Sequence, residues 1–100
     1  MNGTVMSTDK LSAVLPVYNG ATTLERALCS ISVQTQALDE LVIVNDGSSD
    51  QTGAIIADWK KKLPIVSVHN AKNMGLTHAL QTGMEITSGS LIFRLDGDDA

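Results

Sequence analysis

Asp96 and Asp98 stand two residues apart in Asp96-Gly97-Asp98-Asp99, directly after the apolar run Leu91–Leu95. In extended backbone, residues i and i+2 share a face, so these two carboxylates point one way and Asp99 the other. Like charges about 4 Å apart repel by about 4 kcal/mol at an effective dielectric near 20, and a hard divalent cation is the simplest remedy. Oxygen ligands of this kind suit Mg2+ or Mn2+ better than Zn2+. The competing reading is a polar turn, in which Asp and Gly are ordinary residues. A second acidic segment, Asn45-Asp46-Gly47-Ser48-Ser49-Asp50, follows Leu41–Val44, and the two segments together hold five of the eleven acids. Within it Ser48, Ser49 or Asp50 is suited to cap a following helix, which leaves Asp46 free for a ligand. Tyr18 is one of three aromatics and lies in Pro16-Val17-Tyr18-Asn19-Gly20, where stacking on a planar base competes with simple packing.

These segments have a common place in the chain. Four short runs rich in Val, Ile and Leu, at Leu11–Leu15, Leu41–Val44, Ile65–Val68 and Leu91–Leu95, predict strands, and their near-continuous apolarity predicts burial on both faces. Between them, Leu24, Ala27, Leu28 and Ile31 put one apolar stripe on a helix over Thr22–Thr35. Ile55, Ile56 and Trp59 do the same for Thr52–Lys61, with Trp59 in the core, Lys60–Lys62 suited to the helix dipole, and Pro64 closing the segment. Leu76, Ala79, Leu80, Gly83 and Met84 share one face of a third helix ending near Thr87–Ser88. Strand ends recur at intervals of about 25–30 residues, room for one right-handed crossover each, so the class is α/β with a parallel sheet. In such a sheet ligands gather beyond the carboxyl ends of the strands, where all the segments above fall, together with His69-Asn70-Ala71-Lys72-Asn73-Met74-Gly75.

Composition narrows the classes further. One hundred residues make a single domain; 43% hydrophobic residues and 18% charged ones fit a globular core. Seven basic against eleven acidic residues give a net charge of −4, opposite to the footprint of proteins that bind nucleic acid or anionic membranes. Met1–Lys10 is polar and reads as a flexible tail, with no signal peptide, and the apolar runs fall far short of the ~20 residues of a membrane span. The single cysteine, Cys29, excludes an internal disulfide and reads as inert, and His69 and His78 lack the spaced partners of a catalytic or metal site. The first βα turn lacks the G-x-G-x-x-G of a dinucleotide fold, and no P-loop is present.

Taken in order, L-S-A-V-L-P-V-Y-N-G, E-L-V-I-V-N-D-G-S-S-D, N-M-G-L and G-S-L-I-F-R-L-D-G-D-D resemble the nucleotide-sugar-binding part of family 2 glycosyltransferases of the GT-A fold, over Leu11–Ala100. The resemblance implies a Rossmann-like sheet of strand order 3-2-1-4 and inverting transfer of a sugar from a UDP-type donor to an acceptor hydroxyl. By the same resemblance Tyr18 stacks on the donor base, Pro16 and Asn19 shape that loop, and Asp46 accepts the imide N–H of the base. Asp96 takes the first place of the D-x-D motif, near ribose and metal, and Asp98 ligates the Mn2+ or Mg2+ that bridges the phosphates. Asn73 matches the family's N-x-G. Where family members often carry Asp-Asp-Gly-Ser, this chain has Asn45-Asp46-Gly47-Ser48, which weakens a role for position 45.

The resemblance further implies a donor-binding fragment cut off after the D-x-D motif. The acceptor region and general base are expected beyond Ala100, the 100 residues alone are expected to be inactive, and the fragment is expected to self-associate through exposed apolar surface. A glycan or lipid-linked acceptor, bacterial surface polysaccharide synthesis and a cytoplasmic location, peripheral to the inner membrane face in the full-length protein, complete the expectation. Two other readings stand beside it: a non-catalytic α/β metal-binding or interaction module, and a nucleotidyltransferase.

Overall fold

The computed structural model describes residues 11–33 and 38–89 with their side chains, and the backbone of Leu91–Arg94. The expected tail Met1–Lys10 and the acids Asp96, Asp98 and Asp99 lie outside the described residues, while the first helix stops at Ser32, with Val33 as its C-cap, rather than running to Thr35 as expected. The elements alternate as expected: β1 (Leu11–Val17), α1 (Ala21–Ser32), β2 (Glu40–Asp46), α2 (Thr52–Trp59), β3 (Ile65–Asn70), α3 (Leu76–Ile86) and β4 (Leu91–Arg94). The strands form one sheet in the order β3-β2-β1-β4, with every pair parallel. This is the order that the resemblance implied.

Alternation along the central strands divides the core in two. Ala13, Leu15 and Val17 of β1 and Leu41 and Ile43 of β2 face α1 and α2, where Leu24, Leu28 and Ile56 are buried against them. Val14, Val42 and Val44 face the other way, onto Ala79 of α3. Both faces of β1 and β2 are therefore covered, which is why their sequences run almost continuously apolar. β3, at the sheet edge, has no fully buried residue, with Val66 and His69 exposed and the other four half-buried.

Three further helix expectations need correction. α2 ends at Trp59 rather than Lys61, because Pro64 disfavours helical backbone at the residue before it and the chain leaves through a turn in which Lys62 and Leu63 both donate to the Trp59 carbonyl. The three lysines thus follow the helix, and Lys62 sits with its Nζ 5.0 Å from the centroid of the Trp59 ring, a cation–π contact. Trp59 itself is half-buried at the margin of the core rather than inside it. In α3 the expected apolar face is rotated: Ala79 and Gly83 are buried, while Leu76 and Met84 are each 56% exposed. Gly83 explains the rotation, since a Cβ there would lie 2.4 Å from Val14 Cγ1 and 3.3 Å from Val44 Cγ2. Small residues let α3 approach the sheet closely, and that approach turns the larger ones outward.

Candidate functional site

Because all four strands are parallel, their carboxyl ends open on one edge, and the loops after β1, β2 and β3 meet there. Pro16 lies within β1 opposite Val44, two residues past Val14, where the described β1–β4 pairing ends at Arg94. A residue without an N–H is tolerable at such a place. Beyond it, Tyr18 is 53% exposed, so its ring is presented at the edge rather than packed.

Asn19 ties the first loop to the second. Its backbone has φ +47°, in the left-handed region that Asn tolerates better than most residues. Its N–H donates to Ser48 Oγ at 2.9 Å, and its Oδ1 accepts the Ser49 N–H at 2.7 Å. Asp50 adds a second tie, accepting the N–H of Ala21, at the start of α1, and both the N–H and hydroxyl of Thr52, at the start of α2. The Thr52 hydroxyl and N–H, followed by the Ala21 N–H, hold the Asp50 carboxyl below the usual carboxylate range. Asp50 thus fulfils part of the capping role expected of this segment, from the residue before the N-cap Gln51, while Ser48 and Ser49 turn to Asn19.

Asp46 ties the second loop to the third. It is 4% exposed; Oδ1 accepts Asn70 Nδ2 at 2.8 Å and the Met74 N–H at 2.9 Å, and Oδ2 accepts the Gly75 N–H at 2.9 Å. Burial favours the neutral acid, but these three donors, led by Asn70, and the charge of His78 outweigh it and hold the pKa below the ordinary value. Two glycines make this geometry accessible. Gly47 has φ +76°, and a Cβ there would lie 2.4 Å from both Asn73 N and Lys72 C. Gly75, the N-cap of α3, has φ +98° and ψ 157°, a region essentially reserved for glycine. Asn73 Oδ1 accepts the same Gly75 N–H at 2.9 Å, so Asn73 shapes the turn into α3. Asn45, at the position where an acid is frequent in the resembled family, is buried: its Oδ1 accepts the Ser48 N–H, and its amide lies 3.1 Å from His69 Nδ1.

The structure therefore gathers Pro16, Tyr18, Asn19, Asp46 and Asn73 on one edge. Among the described residues no group of three or more His, Cys, Asp and Glu could hold a metal ion. The proposed ligands Asp96 and Asp98 lie outside them. Cys29 is exposed and free, in the carboxyl-terminal half of α1. Asn70 escaped notice as a site residue, although a signal existed: aligning the apolar quartets Leu41–Val44 and Ile65–Val68 places Asp46 opposite Asn70, which is the register observed.

A parallel sheet of this order with its loops interlocked at the carboxyl edge defines the Rossmann-like α/β class that binds nucleotides at that edge. Within the class the chain belongs to glycosyl transferase family 2, whose model matches residues 12–100. It is 36% identical over 91 residues to the glycosyltransferase GlyA of Streptococcus pneumoniae serotype 4, covering 91% of this chain and 13% of that protein. Its solved structural neighbours are GT-A nucleotide-sugar transferases. A crystal structure of S. aureus TarS 1-349 in complex with UDP-GlcNAc superposes with TM-score 0.83 at 26% identity, over 89% of this chain and 26% of that one. The mannosyltransferase PcManGT from Pyrobaculum calidifontis, in complex with GDP-Man and Mn2+, gives TM-score 0.82 at 27% identity, over 90% and 28%. The chain thus spans about an eighth of GlyA and little more than a quarter of either solved structure.

Proposed function

We propose that these residues form the donor-binding part of an inverting glycosyltransferase that moves a sugar from a UDP-type nucleotide to an acceptor hydroxyl. The observation that carries this is the interlocked edge itself: Asn19, Asp46 and Asp50 fix three loops against one another, with the exposed Tyr18 ring beside them. Tyr18 supplies a stacking face for the base, while Pro16, Asn19 and Asn73 hold the loops that frame it. Asp46 has acceptor capacity beyond its three internal donors, enough for one imide N–H of uracil. Asp96 and Asp98 are the ligands for a divalent cation, Mn2+ or Mg2+, which offsets the charge of the leaving diphosphate when bound. Support comes from the neighbours that carry UDP-GlcNAc, or GDP-Man with Mn2+.

Calorimetric titration with UDP tests the reading. Binding in the presence of Mn2+ that disappears with EDTA and in Asp98→Asn supports it; equal affinity with and without metal rejects it. GDP serves as the comparison base, since guanine also offers N–H donors to a carboxylate. Transfer itself needs an acceptor hydroxyl aligned with the anomeric carbon and a base within about 3 Å of its proton, worth ~7–11 kcal/mol of barrier when well positioned. On its own the 100-residue chain is expected to bind donor without turnover. Multiple-turnover glycoside formation from labelled UDP-sugars would count against that expectation.

A further inference from the structure

Asn70 ends β3 directly opposite Asp46 in the parallel register, half-buried, with its Nδ2 2.8 Å from Asp46 Oδ1. Among the described residues its side-chain hydrogen bond is to this carboxylate. A carboxylate offers about four lone-pair directions, two on each oxygen. Asn70 and the Met74 N–H fill both on Oδ1, and the Gly75 N–H takes one on Oδ2. The remaining acceptor position is therefore on Oδ2. We infer that Asn70 is a positioning residue for nucleotide binding, which by occupying Oδ1 directs an incoming base N–H to Oδ2. This rests on the reading of Asp46 as the base-binding acid.

Other groups near this carboxylate leave the task to Asn70. His78 on α3 acts on Asp46 through its charge. His69 on β3 faces Asn45, Lys72 lies in the loop whose backbone packs on Gly47, and the Met74 and Gly75 donors are backbone groups that no side-chain change removes. Among the described residues the Asn70 amide is the one direct donor that is a side chain.

Uridine lacks the diphosphate and needs no metal, so its titration followed by the Tyr18, Met74 and Gly75 amide signals probes the base contact alone. Asn70→Ala is expected to weaken uridine binding about tenfold at neutral pH and to move the acid limb of its pH profile upward, because burial then acts on Asp46 with one donor fewer. Asn70→Asp is expected to bind worse still at neutral pH and to recover as the pH falls and one proton comes to be shared by the facing carboxyls. A general loss of structure would instead lower affinity evenly across pH and shift the melting temperature. Wild-type affinity and an unmoved limb in Asn70→Ala, or no recovery in Asn70→Asp, overturn the inference while leaving the donor site in place. Failure of wild type to bind uridine, or undiminished binding by Asp46→Asn, overturns the donor-site reading and this inference with it.

Discussion

Asp46 is a buried acid with an internal duty before it meets any ligand. Replacing it by Asn keeps one acceptor oxygen but sets an amide donor either against the Asn70 amide and the Met74 N–H or against the Gly75 N–H, leaving buried polar groups unsatisfied at about 1–3 kcal/mol each. The pH dependence follows from the lowered folded-state pKa. A depressed acid stabilises fully above its unfolded value of about 3.9 and loses that contribution as pH falls through the folded value. Urea unfolding should therefore show Asp46→Asn well below wild type at pH 7, with the gap closing as both approach acid unfolding; a gap independent of pH would refute the assignment. Tyr18, being exposed, should behave oppositely. Tyr18→Ala is expected to weaken UDP binding by about 1–3 kcal/mol while changing stability by no more than about 0.5 kcal/mol. Unchanged affinity would return the ring to a packing role. The positions of Tyr18, Asn19 and Asp46 were legible in the sequence because apolar runs stop just before them. Their partners Ser48 and Ser49 were not, since they meet Asn19 only when loops separated by a whole crossover come together at one edge, whereas Asn70 had left its signal in the register of the apolar quartets.

At the scale of elements, strands were read more faithfully than helices. A strand two layers deep announces itself by an unbroken apolar run, as Leu41–Val44 does, whereas a helix face depends on how closely it can approach its sheet. In α3 the apolar periodicity put Leu76 and Met84 on one face with Ala79, Leu80 and Gly83, yet of these only the small Ala79 and Gly83 are buried. Leu76→Ala should consequently cost no more than about 0.5 kcal/mol, as for other exposed positions. Gly83→Ala should cost about 1 kcal/mol despite the helix propensity it gains, because one methyl must fit against Val14 and Val44. Gly47→Ala should cost more than either, at least about 2 kcal/mol, since positive φ and a clash with the backbone of Lys72 and Asn73 act together. Thermal or chemical unfolding of the three variants checks this ranking, and a Leu76→Ala loss exceeding that of Gly83→Ala would return the buried face to the one the periodicity indicated.

For the molecule as a whole, the two faces of the sheet are unequally secured. Leu24, Leu28 and Ile56 lock α1 and α2 onto Leu15, Leu41 and Ile43, and each fully buried side chain of this size contributes about 1.5–3 kcal/mol. On the other face α3 contributes only Ala79 and Gly83 as fully buried residues, beside a half-buried Leu80. Polar ties at its two ends compensate: Asp46 accepts the N–H groups entering α3, and Glu40 accepts the Ser88 N–H beyond its exit. Glu40 also receives the hydroxyl of the buried Ser12, so that the exit is anchored to the start of β1 and β2. A helix whose face buries only small side chains and whose ends are held by polar ties should open without unfolding the sheet. Native-state hydrogen exchange should therefore place the α3 amides at a lower opening free energy than those of β2, whose protection reports global unfolding. Asp46→Asn should widen that difference by releasing the amino end of α3. If α3 and β2 exchange at the same free energy in both proteins, the helix is part of the global cooperative unit and its polar ties add nothing separable.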